Sequence, residues 1–466
     1  MFRELERLFE TIVREVDDGP IVPDVTAEQI RAHLDRYNFS EPMPLYDVAA
    51  DVKNMMQTWD VQVTHSRYLG LFNPSVTFPS VVGDALAAMY NPQLATWRTS
   101  PAANEIERHL LGWLAKQFGL PEDNASCFTS GGSEANLSAV VVALVHAFPA
   151  LREEGLRHLP KQPTVYATGQ AHHALSKIMR MTGLGRSALR IVGVDKEFKM
   201  DLGDLTARVE EDRRNGSAPF MVVATAGTTA TGVIDPLPEV VSYCRSHDLW
   251  CHVDAAWGGA AIMSPDLKQH LAGIEGADSI TCDAHKWFSV PMGAGMFFCR
   301  HPEAVHGAFD SAISFMPAAT NGGASDPYVN STQWSRRFTG LKLFLSLATL
   351  GKSGYAAAID RQAHLAVALR QALQATGWRI VNSTPLPVVC FTRDGLDAAT
   401  FVPKVQQRQI AWISQVTLDK HAPVLRACIT SIRTTDQHIR DIVDQMNTIF
   451  LEESAPVDSL GCANAA

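Results

Sequence analysis

The chain has 466 residues, with 40 basic and 49 acidic side chains and a net charge of −9. That length allows two to four domains of roughly 100–200 residues, and a mildly acidic chain without a run of Lys and Arg argues against electrostatic binding to nucleic acid. Hydrophobic residues at 46% and charged ones at 19% exclude global disorder and a fibrous repeat. The longest nearly apolar stretch, Leu137 to Phe148, is interrupted by Ser138 and His146 and falls short of the roughly 20 residues that span a bilayer, so no membrane segment is expected. The 8 cysteines, from Cys127 to Cys462, form no CxxC pair and stand with no histidine cluster at zinc-finger spacing. They predict no metal site and mostly buried, reduced thiols in a cytoplasmic protein.

At the amino terminus Phe2, Leu5, Leu8, Phe9, Ile12, Val13 and Val16 recur at helical spacing among acidic residues, the pattern of an amphipathic helix rather than a secretory signal. The turn from Asp18 to Pro23 separates it from a second helix that Thr26 can cap ahead of Glu28, Ile30 and Leu34. From His65 to Pro101 the text is aromatic and Pro-rich and reads as a loop-heavy lining surface. Ser100-Pro101 then has the chemistry of a helix start, with Ile106, Leu110, Leu111, Leu114 and Phe118 as its buried stripe. Between Cys127 and Phe298 strands are expected at Thr164 to Ala167, Phe220 to Thr225, Leu249 to Val253, Ser279 to Thr281 and Gly295 to Phe298, with helical runs between them. Several are apolar on both faces, which implies a mostly parallel or mixed sheet covered by helices, an α/β architecture. Helical pattern returns from Leu341 to Ala375. Strand-like stretches at Arg379 to Val381, Val388 to Thr392 and Leu425 to Ile429, then a helix ending near Phe450, suggest a smaller α+β domain. The tail from Glu453 to Ala466 reads as frayed.

Three segments carry chemistry. In SITCDAHKWFSVPMGAGMFF a strand-like run delivers Asp283, His285 and Lys286 to a loop. Lys286 lies between Ala284 and Trp287-Phe288, and a desolvated lysine has a lowered pKa that makes it nucleophilic toward carbonyls; the bland reading is a solvated surface lysine. In LWCHVDAAWGGA the carboxylate of Asp254 interrupts an apolar strand, and a buried carboxylate needs a cation or hydrogen bonds. A pyridinium nitrogen would serve, with Ala255 and Ala256 small enough for a flat ring to lie close; a helix cap or a structural ion pair is the alternative. In FTSGGSEANLSAVVVAL, Gly131-Gly132 leads into a helix opened by Ser133, where free amides and the helix dipole make an anion site, unless the glycines are merely a turn. An aldehyde, a pyridine nitrogen and a phosphate together describe pyridoxal 5'-phosphate (PLP).

The chain resembles the group II PLP-dependent amino-acid decarboxylases of fold type I, the family of aromatic L-amino-acid, glutamate, histidine and diaminobutyrate decarboxylases. The motifs that carry the resemblance are HSRYLGLFNPS, TSPAANEIE, the glycine turn, QAHH, AGTT, HVDAAW, DAHKW and SRRF, in that order along nearly the whole chain. It implies a dimerisation segment of helices over 1–75, a large PLP-binding domain over 76–345, a small α+β domain over 346–455 and a tail over 456–466. It also implies Lys286 as the internal aldimine lysine, Asp254 on the pyridine nitrogen, His172 stacked on the ring with His173 a bystander, Thr229 near the phenolic oxygen and Ala256 beneath the ring. Gly132, Ser133 and His285 match the phosphate ligands; Asp283 stands where relatives often have Asn, with no evident role. The implied activity is decarboxylation of an L-amino acid through a Lys286 Schiff base and a quinonoid, reprotonated at Cα to the amine.

One departure bears on the product. Where animal and plant aromatic decarboxylases supply a protonating tyrosine from a loop, ungapped placement puts Phe315. In plant relatives a phenylalanine there accompanies oxygen-dependent conversion to an aldehyde, ammonia, CO2 and peroxide, which is the alternative, although Tyr328 in the same loop can supply the proton. Phe72, Trp97 and Trp257 match the side-chain pocket of aromatic decarboxylases and favour an aromatic substrate, while Arg98 can pair with the distal carboxylate of an acidic one or with Glu105 or Glu107; a small amino acid also stays open. The resemblance implies a homodimer, which the amphipathic first helix suits. Arg336 and Arg337 read as surface ion-pairing residues, with the cofactor phosphate or an interface carboxylate as the other option. A transaminase would need an arginine for the α-carboxylate, for which Arg426 is the candidate. A non-catalytic PLP-fold protein is the remotest reading.

Overall fold

The computed structural model describes residues 2–73, 75–310, 326–418 and 423–454. These group into two compact units, one within Met1–Leu71, Leu365–Val381 and Val389–Ala466, the other within Phe72–His364 and Asn382–Val388.

The first unit opens with helices α1 (Phe2–Arg14), α2 (Ala27–Leu34) and α3 (Leu45–Trp59). Thr26 starts α2 with a capping box: its Oγ1 accepts from Gln29 N at 3.3 Å and its N–H donates to Gln29 Oε1 at 2.7 Å, so two otherwise orphaned helix-end donors are satisfied.

The second unit holds α4 (Phe78–Tyr90), α5 (Pro101–Gln117), β1 (Ala125–Thr129) and α6 (Gly132–Ala147), followed by β2 (Pro163–Thr168), β3 (Leu189–Val192), β4 (Ala218–Thr225), β5 (Trp250–Asp254), β6 (Ser279–Asp283) and β7 (Gly295–Cys299). The seven strands form one sheet in the order β1-β7-β6-β5-β4-β2-β3. Neighbours from β6 through to β3 are parallel, and β7 runs antiparallel to both β6 and β1, so β1 and β6 point the same way. Every residue of β2, β5, β6 and β7 is buried, as a sheet covered on both faces requires. Apolar residues of α6, such as Ala135, Ala139, Val140 and Ala143, pack on Val165, Met221 and Phe297 of the strands in one core.

In the first unit, apart from Val388, β8 (Arg379–Ile380), β9 (Val388–Thr392), β10 (Ser414–Val416) and β11 (Val424–Cys428) form a second sheet, ordered β10-β11-β9-β8. Trp378, Phe391, Phe401 and Ile442 are among its core residues.

Two local expectations change. The stretch read as loop from His65 to Pro101 contains α4, started by Thr77 in an extended conformation and by Pro79 in the first turn. Its apolar side chains fall on the exposed side as well as the buried one, which hides the usual stripe. Ser100 precedes α5, but its Oγ donates to Gln93 O at 2.8 Å instead of capping the helix. The helical segment Gly340–Ala375 breaks at Gly351, where φ is +67°, a conformation glycine adopts freely.

Candidate active site

Parallel α/β sheets place their ligands beyond the carboxyl ends of the strands, and this sheet brings five such ends together. β1 ends at Thr129 before the glycine turn, β2 at Thr168 before His172, β4 at Thr225 before Thr229, β5 at Asp254 and β6 at Asp283. A cavity of about 300 Å³ there is lined by Gly131, Gly132, Ser133, Asn136, His172, Thr229, Asp254, Ala256, Trp257, Asp283, His285 and Lys286, among others.

Close approach at this edge depends on two glycines. A Cβ at Gly295 on β7 would lie 2.6 Å from Gly131 Cα and 2.4 Å from Thr129 Oγ1, so only glycine lets β7 pass behind the turn that opens α6. Gly227 has φ +102°, and a Cβ there would lie 3.0 Å from the Trp257 ring. The loop after β6 is clamped at several points. Trp287 Nε1 donates to Gln362 Oε1 at 2.5 Å, Tyr355 OH to Phe288 O at 3.0 Å, and Lys342 Nζ to the carbonyls of Pro291 and Met292 at 3.1 and 2.9 Å. Lys286 is therefore presented from a fixed backbone.

Asp254 is buried, yet both oxygens are served: Oδ2 accepts from Asn136 Nδ2 at 2.8 Å and Oδ1 from Ala256 N at 3.1 Å. Lys286 Nζ lies 2.9 Å from Asp283 Oδ2. Burial pushes the ammonium pKa down, but the Asp283 carboxylate outweighs it and the net direction is up. This corrects the expectation of a lowered pKa, because a buried counter-ion favours the charged form more than desolvation disfavours it. His285 Nδ1 accepts from Ala294 N at 3.0 Å, and burial lowers its pKa. His172 Nδ1 accepts from Ala174 N at 3.2 Å, which leaves the neutral ring's proton on Nε2; burial pushes its pKa down as well.

Trp257 stacks on Phe72 with ring centroids 4.3 Å apart and planes 15° from parallel, giving the cavity an aromatic wall. Phe72, Trp97 and Arg98 are not among its lining residues, and Phe72 reaches the cavity only as the ring behind Trp257. Trp97 lines a separate cavity with Glu107 and Arg336, and its Nε1 donates to Glu105 Oε1 at 2.9 Å. Arg98 is exposed, and its two candidate partners are engaged elsewhere: Glu105 with Arg108, Glu107 with Arg336 and Gly340 N. Arg336, expected at the surface, is buried against Glu107 at 2.5 Å, while Arg337 is the exposed one, 3.1 Å from Asp84. Arg426 NH1 donates to Gly70 O and Ser414 Oγ, both at 3.1 Å. Tyr328 stacks on Trp334 at 4.8 Å and is not among the cavity residues. Phe315 lies outside the described residues. Asn136 and His252 were missed in the sequence, although His252, two residues before Asp254 on one strand, must share its face.

The family model of the pyridoxal-dependent decarboxylase conserved domain matches residues 24–393. The chain belongs to this family. Within it the chain is 28% identical over 405 residues to an aromatic-L-amino-acid decarboxylase of Bacillus atrophaeus, covering 84% of this chain and 82% of the relative. It is 27% identical over 391 residues to a 4-hydroxyphenylacetaldehyde synthase of Rhodiola rosea, covering 80% and 78%. The structure of Catharanthus roseus tryptophan decarboxylase in complex with L-tryptophan superposes with a TM-score of 0.89 over 97% of each chain at 21% identity, a likeness of fold. This decarboxylase is thus a fold type I, PLP-dependent carboxy-lyase acting on an amino acid. Its cavity fits the cofactor: an amine, a buried carboxylate and a glycine turn at the amino end of a 16-residue helix line one space. No helix among the described residues is long and apolar enough to cross a membrane.

Proposed function

We propose that the chain decarboxylates an aromatic L-amino acid to its amine. The observation that carries the choice of substrate is Trp257, braced by Phe72, forming an aromatic wall in the same cavity as Lys286 and Asp254. Such a wall gains by burying an aromatic side chain and offers an acidic one no cation. The names of the Bacillus and Catharanthus relatives agree with this reading.

In this proposal Lys286 Nζ would hold the cofactor covalently, Asp254 its ring nitrogen and Gly132, Ser133 and His285 its phosphate, with Thr229 toward the phenolic oxygen and Ala256 against the ring. Bound PLP supplies an electron sink for the pair left on Cα when CO2 departs. The chain's own part is orientation and exclusion of water. Trp257, with Phe72 stacked behind it, would orient the side chain and so set the direction of the α-carboxylate, whose departure is favoured where its charge is poorly solvated. His172, whose pKa burial pushes down, would face the cofactor ring and hold a proton on Nε2.

Release of an aldehyde is the second reading, favoured by Phe315 at the position of the protonating tyrosine and by the Rhodiola relative's name. We further read a homodimer, supported by the apolar exposed side of α4, and a cytoplasmic protein, supported by seven buried free thiols among the described residues. The test is incubation of the PLP-loaded protein with tyrosine, DOPA, tryptophan, phenylalanine, histidine, glutamate, aspartate and 2,4-diaminobutyrate, following CO2, amine, aldehyde and peroxide together. CO2 with equal amine from an aromatic substrate is expected. Aldehyde with peroxide and oxygen uptake selects the second reading, and turnover of glutamate or aspartate alone overturns the substrate. Lys286→Ala should abolish both the cofactor's visible band and turnover; a coloured, active variant would sink the whole assignment.

A further inference from the structure

Behind Asp254 runs a buried chain of polar side chains that the reading above leaves unused. In the parallel pair β5 and β6, His252 lies opposite Ser279 and Asp254 opposite Thr281. Alternate residues share a strand face, so Trp250, His252 and Asp254 stand beside Ser279 and Thr281, and α6 lays Asn136 against them. Asn136 Nδ2 donates to Asp254 Oδ2 at 2.8 Å. Its Oδ1 accepts from Thr281 Oγ1 at 2.8 Å and lies 2.9 Å from His252 Nε2. His252 Nδ1 is 2.8 Å from Ser279 Oγ, which accepts from Trp250 Nε1 at 2.8 Å. Asn136, His252, Ser279 and Thr281 are all at least 98% buried.

Donor and acceptor chemistry admits one assignment of these bonds. A carboxylate only accepts, so the Asn136 amide turns its NH2 to Asp254 and its oxygen to His252. An amide oxygen also only accepts, so the imidazole proton sits on Nε2. Nδ1 then accepts the Ser279 hydroxyl proton, and the Ser279 oxygen takes the indole N–H of Trp250. Burial pushes the His252 pKa down to about 4, which keeps the ring neutral and leaves Nδ1 free to accept. Every bond from Trp250 to Asp254 therefore points the same way.

We propose that Asn136 and His252 are positioning residues that hold Asp254 from behind so that its carboxylate meets the cofactor's ring nitrogen in one orientation. Ala256 N fixes the other oxygen at 3.1 Å. The amide between imidazole and carboxylate transmits orientation but no proton, since it has no titratable hydrogen in the working pH range. Asp254 is thereby kept from sharing a proton with His252 and is left to stabilise the ring nitrogen's. The proposal rests on the assignment of Asp254 to that nitrogen.

Asn136→Leu removes both amide bonds at similar volume. Titration of the unloaded variant with PLP, followed by visible absorbance, should show a dissociation constant raised about tenfold or more, the size of a lost hydrogen bond to a charged group. The pH titration of the bound cofactor's visible band should move in the same direction as in Asp254→Asn, and kcat should fall more than KM rises. His252→Phe, which cannot donate to Asn136 Oδ1, should follow Asn136→Leu. His252→Gln, which keeps an amide N–H for that oxygen, should restore affinity and band. A merely structural role would lower the melting temperature of all three variants and leave the band's titration where it was. If Asn136→Leu does not fold, Ser279→Ala cuts the chain two links further back and should move the band the same way by less. An altered Asp254→Asn beside unaltered His252→Phe and Ser279→Ala overturns the proposal, whereas a wild-type band in Asp254→Asn overturns the assignment of Asp254 itself.

Discussion

The ammonium of Lys286 lies 2.9 Å from Asp283 in a place where burial alone would lower its pKa. In the role proposed for Lys286, the amine that would attack the cofactor's aldehyde is thus held in its non-nucleophilic form before cofactor binding, and only its deprotonated fraction would react. Replacing the carboxylate by an amide removes the counter-ion while keeping the shape. Asp283→Asn should therefore lower the Lys286 pKa and speed PLP uptake at neutral pH by about tenfold for each unit of that fall, measured by stopped-flow absorbance. An unchanged or slower uptake rate would show that Asp283 does not restrain the amine. The sign for stability follows from the same pair. A lysine whose folded pKa is raised stabilises the fold fully below its unfolded value, about 10.4, and loses that contribution as pH climbs through the higher folded value. Unloaded wild-type protein should then lose more melting temperature than Asp283→Asn between neutral and strongly alkaline pH.

At the scale of strands and helices, the polar face shared by β5 and β6 makes a second pH-dependent term. His252 is neutral in the fold, with a pKa near 4 against an ordinary 6.5. The unfolded chain binds the extra proton between those values, so the contribution is whole above about pH 6.5 and is lost toward pH 4, on the order of 3 kcal/mol. Asp235, buried and pushed up to about 6, slopes the other way over part of the same range. Comparing wild type with His252→Gln isolates the histidine. The variant should lose less melting temperature between pH 7 and pH 4.5 (values chosen about the ordinary histidine pKa), and equal losses would mean that His252 is charged in the fold. Legibility in the sequence divides along similar physical lines. The strands flanking Asp254 and Lys286 could be read because burial on both faces makes them continuous apolar runs. The edge strand β3, half-exposed along much of its length, and β10, the three-residue Ser414–Val416 at the other sheet's margin, lack that signal. Lys286, Asp254 and the glycine turn stood out because each is out of place in apolar surroundings. Asn136 could not be read, since a polar residue in a helix's first turns looks like an ordinary solvated position until the strand it packs on is known. The ion pair of Lys286 with Asp283 was equally hidden: residue types near a lysine predict desolvation, but the sign of its shift depends on one contact.

Over the whole molecule, the mismatch between exposed apolar surface and a chain that buries its cores well asks for a second surface. Helix α4 exposes Phe78, Val81, Val82, Leu86, Met89 and Tyr90, with Met89 and Tyr90 82% and 83% accessible. Single exposed apolar residues are ordinary, but a run of six on one helix marks an interaction face. A twofold dimer is the commonest way for a soluble chain to cover such a face with a copy of itself, and each large side chain so buried contributes roughly 1.5–3 kcal/mol. Changing Met89 and Tyr90 together to Glu places two charges on that face of each chain, and a self-complementary interface would have to desolvate four. If the proposed homodimer forms through this face, the wild type should sediment as a dimer and the double variant as a monomer. Its far-ultraviolet circular dichroism should be unchanged, because neither side chain packs to any extent within its own chain. Two results would overturn the dimer assigned to this helix: a wild-type protein that sediments as a monomer across a wide concentration range, or a double variant that remains dimeric and places the interface elsewhere.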